Sequence, residues 1–126
     1  MLVAMTSPST SFPERTREIS AALAPMRRSQ PGAMHAFNQL AQSAMEGGTL
    51  SPKFKELVAL AIGVAGHCDG CIGFHAKALV ALGATRAEVE ETLAVAVYMG
   101  GGPSLMYSAD ALVAFEQFQK LAAERA

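Results

Sequence analysis

The sequence predicts an all-α, single-domain bundle of about six helices, and three observations support this fold class. Apolar residues recur at helical spacing along most of the chain, between residues that typically start or end helices. No segment sustains the apolar-polar alternation and β-branched enrichment of a strand. The chain has 126 residues, enough for one domain that buries a core without needing disulfides.

The N-terminal residues predict a tail followed by a helix. Residues 1–12 are rich in Ser, Thr and Pro and lack apolar periodicity, so we expect a flexible tail before a helical domain at 13–126. Pro13 and the acidic residue after it are typical of a helix start. This helical pattern continues to about Arg28, and we expect Pro25 to bend or end the helix.

Two further helices are predicted before the cysteines. Apolar residues within 34–45 follow helical spacing and are followed by a Gly-Gly pair. Ser51 and Pro52 are a favourable N-cap and first position for the next helix, which continues to about Ala65. Because this helix is apolar on nearly every face after Glu56, we expect it to be central and buried.

Three more helices are predicted from the cysteines to the C-terminus. The first begins at Cys68, continues to Leu82 and is followed by a Gly in the C′ position. Thr85–Glu88 has the sequence of a capping box and begins the second, which continues to about Met99. Three glycines then break the chain before Pro103 starts the last helix. The glycine stretch lacks the Lys-Ser/Thr ending of a phosphate-binding loop, so we interpret it as a helix break.

Composition and charge indicate which kinds of partner the protein binds. Hydrophobic residues make up 51% of the chain, more than a small core holds, and contact between subunits removes such an excess from water. We therefore expect a homo-oligomer. The formal net charge is −1 and the basic residues are scattered, so we expect neither a nucleic-acid nor a membrane partner. We find no secretion signal, and the apolar run at 57–66 is too short to span a bilayer, so we expect a cytoplasmic protein.

Both cysteines of the chain lie in one short stretch, GHCDGCIGFH. A haem attachment site requires a His directly after the second Cys, where this chain has Ile72. Zinc could in principle use Cys68, Cys71, His75 and Glu56, but structural zinc sites favour more Cys and His ligands, so we expect no metal and no cofactor. A purely structural role for the thiols and the imidazole stays open.

A redox-active dithiol explains more of this pattern. Cys68 and Cys71 are three residues apart at a helix start, so both sulfurs lie on one face of the first turn, close enough for a disulfide. The helix N-terminus stabilises a thiolate and lowers the pKa of the thiol. His75 follows one turn later on the same face, where it can accept the thiol proton. We interpret the three residues as a nucleophile, a resolving thiol and a base.

Glu56 is the fourth candidate because it begins an otherwise apolar helical stretch that leads to the cysteines. A buried carboxylate needs a partner, and His75 is better placed than Cys71 to provide one. One interpretation is a proton relay between Glu56 and His75. The alternative, about equally supported by spacing alone, is an exposed first-turn carboxylate that interacts with the helix dipole. Both interpretations stay open on spacing alone.

The segment from Glu56 through the three glycines resembles the alkylhydroperoxidase D (AhpD-like) family, within the carboxymuconolactone decarboxylase superfamily. The family pattern is Glu, eleven residues, Cys-x-x-Cys, three residues and His. Glu56, Cys68, Cys71 and His75 fill every position of that pattern. The resemblance covers about residues 50–118, and the combined pattern is more specific than an isolated Cys-x-x-Cys.

The resemblance implies an AhpD-like helical fold assembled as trimers or hexamers. It also implies an antioxidant peroxidase that reduces hydroperoxides through a cysteine sulfenic acid and an intramolecular disulfide. In that likeness Cys71 is the peroxidatic thiol, Cys68 resolves it, and Glu56 and His75 relay the proton. Relatives can take electrons from a dihydrolipoyl protein, so we expect a dithiol or a protein of this kind as the reductant.

The chain departs from the better-known members of that family next to the cysteines. Those members carry a further His just before the second Cys, where this chain has Gly70, and His67 precedes the first Cys instead. We therefore treat His67 as a candidate auxiliary residue. The alternative functions are general disulfide exchange, a decarboxylase-like lyase activity for which the dithiol has no evident use, and a non-catalytic oligomeric binding protein.

Overall fold

The structure is a computed structural model that describes residues 11–126, so residues 1–10 of the tail expected at 1–12 lie outside the described residues. The end of the expected tail is wrong, because Ser11 caps the first helix and Phe12 is buried in the core. The described part contains no strand. The predicted all-α fold is therefore confirmed. The helices are α1 (Phe12–Ser29), α2 (Pro31–Met45), α3 (Pro52–Ala65), α4 (Asp69–Ala81), α5 (Arg86–Gly100) and α6 (Gly102–Glu124).

Local capping residues start the helices where the sequence predicts. The Ser51 hydroxyl accepts the backbone N–H of Phe54 at 3.1 Å, at the start of α3. At the start of α5, the Thr85 hydroxyl accepts the N–H of Glu88 at 3.1 Å, and the Glu88 carboxylate accepts the N–H of Thr85 at 2.9 Å. Gly83 has a φ of 75°, which suits its predicted C′ position after α4.

Two helix boundaries differ in detail from the prediction. Pro25 does not end α1, which continues to Ser29. The residues around Pro25 are mostly exposed, so solvent can hydrogen-bond the carbonyl that proline leaves without a partner. The glycine break is confined to Gly101, with a φ of 73°, because α5 includes Gly100 and α6 begins at the next glycine. A single left-handed residue is enough to separate the two helices.

The core lies between α3, α4, α5 and α6, which pack on one another, and α1 covers α4 and α6. Burying each large aliphatic or aromatic side chain contributes about 1.5–3 kcal/mol, so this core supplies much of the stability. The largest fully buried apolar side chains are Phe115, Leu60, Ile72, Leu79, Val64 and Val89.

Helix α3 is central, as predicted, but it is not buried on every face. Phe54, Val58 and Ile62 form an exposed apolar row along it, which we call the α3 stripe, and Ile62 is 67% exposed. The expectation that this helix is buried is wrong for this face, because α4, α5 and α6 cover the other faces and leave this one open. Helix α2 contributes no buried residue, and its Phe37 is 69% exposed.

The described helices also bear on the membrane expectation. None of them combines the length and the apolar character needed to cross a bilayer. The longest, α6, has 23 residues but carries Asp110, Glu116 and Lys120. This polar content sets α6 apart from a membrane-spanning helix.

Candidate functional site

The turn between α3 and α4 carries the first cysteine, and a defined backbone motif forms it. Gly66 ends α3, and His67 follows with a φ of 56°. The N–H of Cys68 donates to the carbonyl of Gly63 at 2.9 Å, and the N–H of His67 donates to that of Val64 at 3.1 Å. These are the two hydrogen bonds of a Schellman motif. The motif reverses the chain so that Cys68 becomes the N-cap of α4.

A disulfide joins Cys68 and Cys71, whose Cα atoms are 5.2 Å apart. The Sγ of Cys68 also accepts the backbone N–H of Cys71 at 3.2 Å, which makes this sulfur the side-chain cap of α4. The helix N-terminus therefore acts most directly on Cys68, where it stabilises a thiolate once the disulfide is reduced. The sequence predicted both sulfurs at the helix start, and the structure shows that the sulfur of Cys68 is the one that caps α4.

Gly63 is a residue of the site that sequence reasoning missed. A Cβ built on Gly63 would lie 3.0 Å from the Cβ of Cys71, so the missing side chain lets α4 pack closely against α3 at the dithiol. The carbonyl of the same residue holds the amide of Cys68. The available signal was an isolated glycine inside an apolar helical run, which often marks close backbone packing.

Glu56 and His75 meet across the interface of α3 and α4. The Nδ1 of His75 lies 2.6 Å from Oε2 of Glu56, and the side chain of Glu56 is only 14% exposed. This burial and contact do not fit a solvated first-turn carboxylate. A carboxylate at Nδ1 favours the ring tautomer with its proton on Nδ1, which leaves Nε2 to accept a proton from elsewhere.

The structure does not join this pair to the sulfurs by a hydrogen bond. Within residues 11–126, the side-chain hydrogen bond of His75 goes to Glu56, and neither sulfur bonds to the imidazole. Cys71 and His75 are one turn apart on α4 and so share a helix face. Proton transfer between them requires a small side-chain movement or a bridging water.

His67 lies beside the dithiol and contacts α6. Its ring stacks on that of Tyr107, with centroids 4.8 Å apart and planes 4° from parallel. His67 is also the one non-glycine residue with positive φ in the described part of the chain. Sequence reasoning named His67 as an auxiliary candidate but missed Tyr107, because no local pattern indicates that α6 passes this turn.

Charged residues of three helices surround the first turn of α4. Arg15 of α1 forms an ion pair with Asp69 at 3.2 Å. Asp110 on α6 is exposed, but partial desolvation by the surrounding protein, and then the nearby carboxylate of Asp69, raise its pKa. In residues 11–126, no cluster of three or more His, Cys, Asp or Glu side chains is arranged to hold a metal ion.

Comparison with solved structures finds close likeness in fold. A carboxymuconolactone decarboxylase family protein from Legionella pneumophila is 54% identical, with a TM-score of 0.85, over 88% of this chain and 99% of its own. A Thermotoga maritima protein of the same family is 26% identical, with a TM-score of 0.74, over 90% of this chain and 93% of its own. A part in the antioxidative response has been suggested for the Thermotoga protein.

Sequence comparisons agree with the structural ones. The model of the carboxymuconolactone decarboxylase family matches residues 31–114, which include all four candidate site residues. An uncharacterised protein of Cupriavidus necator is 37% identical over 107 residues, or 85% of this chain and 95% of the relative. A Paracoccus denitrificans protein named for its cox locus is 30% identical over 98 residues, or 78% of this chain and 88% of the relative.

Proposed function

Because this chain belongs to the carboxymuconolactone decarboxylase family, we propose that it is a thiol-dependent peroxidase that reduces organic hydroperoxides in antioxidant defence. The observation that carries the proposal is a Cys68–Cys71 disulfide one helical turn from a His75 that is hydrogen-bonded to Glu56. A dithiol that can form a disulfide, with a general base beside it, has the parts that this chemistry needs. The antioxidative role suggested for the Thermotoga relative also supports a peroxidase function.

The first step of the proposed reaction oxidises Cys71. Its thiolate attacks a peroxide oxygen, so that an S–O bond forms and the O–O bond breaks. The departing alkoxide takes up a proton and leaves as the alcohol, and Cys71 becomes a sulfenic acid. His75 accepts the thiol proton before the attack and donates it to the alkoxide, while Glu56 holds the ring and stabilises the imidazolium.

The second step closes the disulfide. The thiolate of Cys68 attacks the sulfur of the Cys71 sulfenic acid, the S–S bond forms and the S–O bond breaks. The hydroxide that leaves combines with the proton given up by Cys68 and departs as water. The position of Cys68 as the N-cap of α4 supports this role, because the helix N-terminus stabilises its thiolate.

The third step returns the dithiol. A reductant with two thiols supplies two electrons and two protons, reopens the disulfide and is itself oxidised to a disulfide. A dihydrolipoyl protein or another dithiol is the proposed donor. General disulfide exchange is the second candidate function, since the capped Cys68 is a good leaving thiolate in exchange with any protein disulfide. Lactone decarboxylation has no step that uses the disulfide.

We also propose that the protein acts as a cytoplasmic homo-oligomer, a trimer or hexamer. Helix α2 has no buried residue, and the α3 stripe leaves three large apolar side chains exposed on one chain. Contact with further copies would remove this surface from water.

A peroxidase assay combined with thiol counting tests the proposed function. The reduced protein is treated with tert-butyl, cumene or hydrogen peroxide, with dihydrolipoamide, thioredoxin or glutathione as reductant. With a dithiol donor we expect the organic hydroperoxides to yield their alcohols and hydrogen peroxide to yield water, and without a donor we expect the loss of both thiols of each chain. A variant with both cysteines changed to Ser controls for the uncatalysed reaction. Thiols that stay unreacted under excess peroxide would contradict the proposal.

A further inference from the structure

We propose that the His67–Tyr107 stack positions the dithiol by holding the α3–α4 turn against α6. The inference rests on the proposed dithiol chemistry and adds two positioning residues to it. Neither of them belongs to the pattern formed by Glu56, the two cysteines and His75. Tyr107 comes from a different helix, so the stack ties the redox turn to the body of the domain.

The backbone at His67 gives the first argument. The residue occupies the left-handed C′ position of a Schellman motif, where glycine is the most favourable residue and an L side chain is strained. The other positive-φ positions of the described chain, Gly83 and Gly101, are glycines. A turn that only had to reverse the chain would be formed more easily with glycine here as well. The side chain at this position must therefore compensate for the strain through what it contacts.

Tyr107 gives the second argument, because it is the contact that compensates. Its side chain is half-buried and packs against the hydrophobic core, so the core fixes the ring in place. The imidazole of the exposed His67 lies flat on this fixed ring. Aromatic rings in such stacked contact attract each other beyond the effect of area burial. The stack thus anchors an exposed turn to a rigid surface.

The consequence for the cysteines follows from chain order. Cys68 is the next residue after His67, and its amide is held by the carbonyl of Gly63. When the disulfide is reduced, the shape of the turn helps to keep the Cys68 sulfur near Cys71, together with its hydrogen bond from the Cys71 N–H. The stack therefore raises the effective concentration of Cys68 near Cys71 and favours the disulfide. Without it, the reduced turn gains conformational freedom and the disulfide becomes easier to reduce.

The test is the thiol-disulfide equilibrium of the full chain in buffers of graded dithiothreitol composition. In this reaction dithiothreitol gives two electrons and two protons to the disulfide, both cysteines become thiols, and dithiothreitol closes to its cyclic disulfide. The variants are His67→Gly, which also removes the backbone strain, His67→Asn, which tolerates the left-handed backbone, and Tyr107→Ala. Tyr107→Phe keeps the ring, and Tyr98→Ala, at a tyrosine that is 83% exposed on α5, is the matched control.

We expect His67→Gly, His67→Asn and Tyr107→Ala to shift the equilibrium toward the reduced form by about three- to tenfold, the size that one aromatic contact can account for. Tyr107→Phe and Tyr98→Ala should match the wild type. Circular dichroism selects the variants that keep the wild-type helix content. A contact that only stabilised the fold would act equally on both redox forms, so an unchanged equilibrium in folded His67→Asn and Tyr107→Ala would overturn the inference.

The same measurement separates this inference from the proposed function. It needs no hydroperoxide and gives a result even if the protein turns over none. A shifted equilibrium in a protein without peroxidase activity would reject the peroxidase and keep the positioning role. Normal peroxidase activity with an unshifted equilibrium would reject the positioning role and keep the peroxidase.

Discussion

The Nδ1 atom of His75 lies 2.6 Å from Oε2 of Glu56, so one hydrogen bond joins the α4 helix that carries the dithiol to the central helix α3. The bond fixes the orientation of the imidazole, and the carboxylate that accepts it is mostly shielded from solvent. The two residues therefore act as one unit in the proposed reaction.

The Glu56→Gln variant tests this unit. Gln keeps the shape, and its amide oxygen can still accept a hydrogen bond from the Nδ1–H of His75, so the fold should survive. The charge that stabilises the imidazolium in the proposed reaction is lost. We expect the rate at which the reduced dithiol reacts with iodoacetamide or peroxide to fall roughly ten- to a thousandfold near neutral pH. Stopped-flow rates across a pH series measure this, with the exposed Glu91→Gln as control. An unchanged pH profile would leave Glu56 with a structural role only.

The two cysteines should fail in different ways when they are replaced. Cys71→Ser should abolish peroxidase turnover, because it removes the thiol that lies one helical turn before His75. Cys68→Ser should react with one equivalent of peroxide and then stop as a sulfenic acid, which dimedone labels at Cys71. Mass spectrometry of the labelled chain identifies the site. Steady turnover by Cys71→Ser would reject Cys71 as the thiol that attacks the peroxide. A Cys68→Ser chain that gains no dimedone label would show that Cys71 does not form the sulfenic acid.

Local features of the fold could be predicted, since they depend on neighbouring residues. Ser51 and the Thr85–Glu88 capping box set the starts of α3 and α5, and Gly83 follows α4 as its C′ residue. Each of these signals acts within one turn of a helix, so no knowledge of the packing was needed.

Features that depend on packing could not be predicted in the same way. Residue spacing could not decide whether Glu56 belongs to a proton relay or is a solvated carboxylate, because the choice depends on how closely α3 and α4 approach at Gly63. Tyr107 reaches the redox turn only through the path of α6. The exposed α3 stripe was expected to be buried, because an apolar pattern shows which face avoids water but not what covers it.

Glu88 should make stability depend on pH in a defined direction. A hydrogen bond from Lys53, and then the backbone N–H of Thr85, hold the pKa of Glu88 below its ordinary value. A lowered folded-state pKa gives stability that is present above the unfolded value of 4.5 and is lost as the pH falls through the folded value. Glu88→Gln keeps the cap but loses the charge, so its melting temperature should be lower than wild type at pH 7 and converge with it in acid. A constant difference in thermal melts across pH would contradict this.

Asp110 should have the opposite effect. Partial desolvation and then Asp69 raise its pKa above the ordinary value of 3.8, so the folded state binds this proton more tightly than the unfolded state does. The charged form therefore lowers stability above the folded pKa, and this loss disappears as the pH falls below 3.8. Asp110→Asn should raise the melting temperature at pH 7 and lose its advantage in acid. A melting temperature at pH 7 equal to or below that of the wild type would reject this account.

Assembly should depend on the apolar surface that one chain leaves open. Phe37 on α2 and Ile62 in the α3 stripe are 69% and 67% exposed, and a monomer would keep both in water. We expect light scattering to give a mass about three or six times the 13.2 kDa of one chain, as trimers or hexamers require. Phe37→Glu and Ile62→Glu each place a charge on this surface and should shift the mass toward that of one chain, because burying an unpaired carboxylate is unfavourable.

Lys77→Glu, at an exposed polar position of α4, controls for the charge change itself. A wild-type mass of 13.2 kDa at micromolar concentration would reject the oligomer. An assembly that tolerates both variants would show that other surfaces form the contacts.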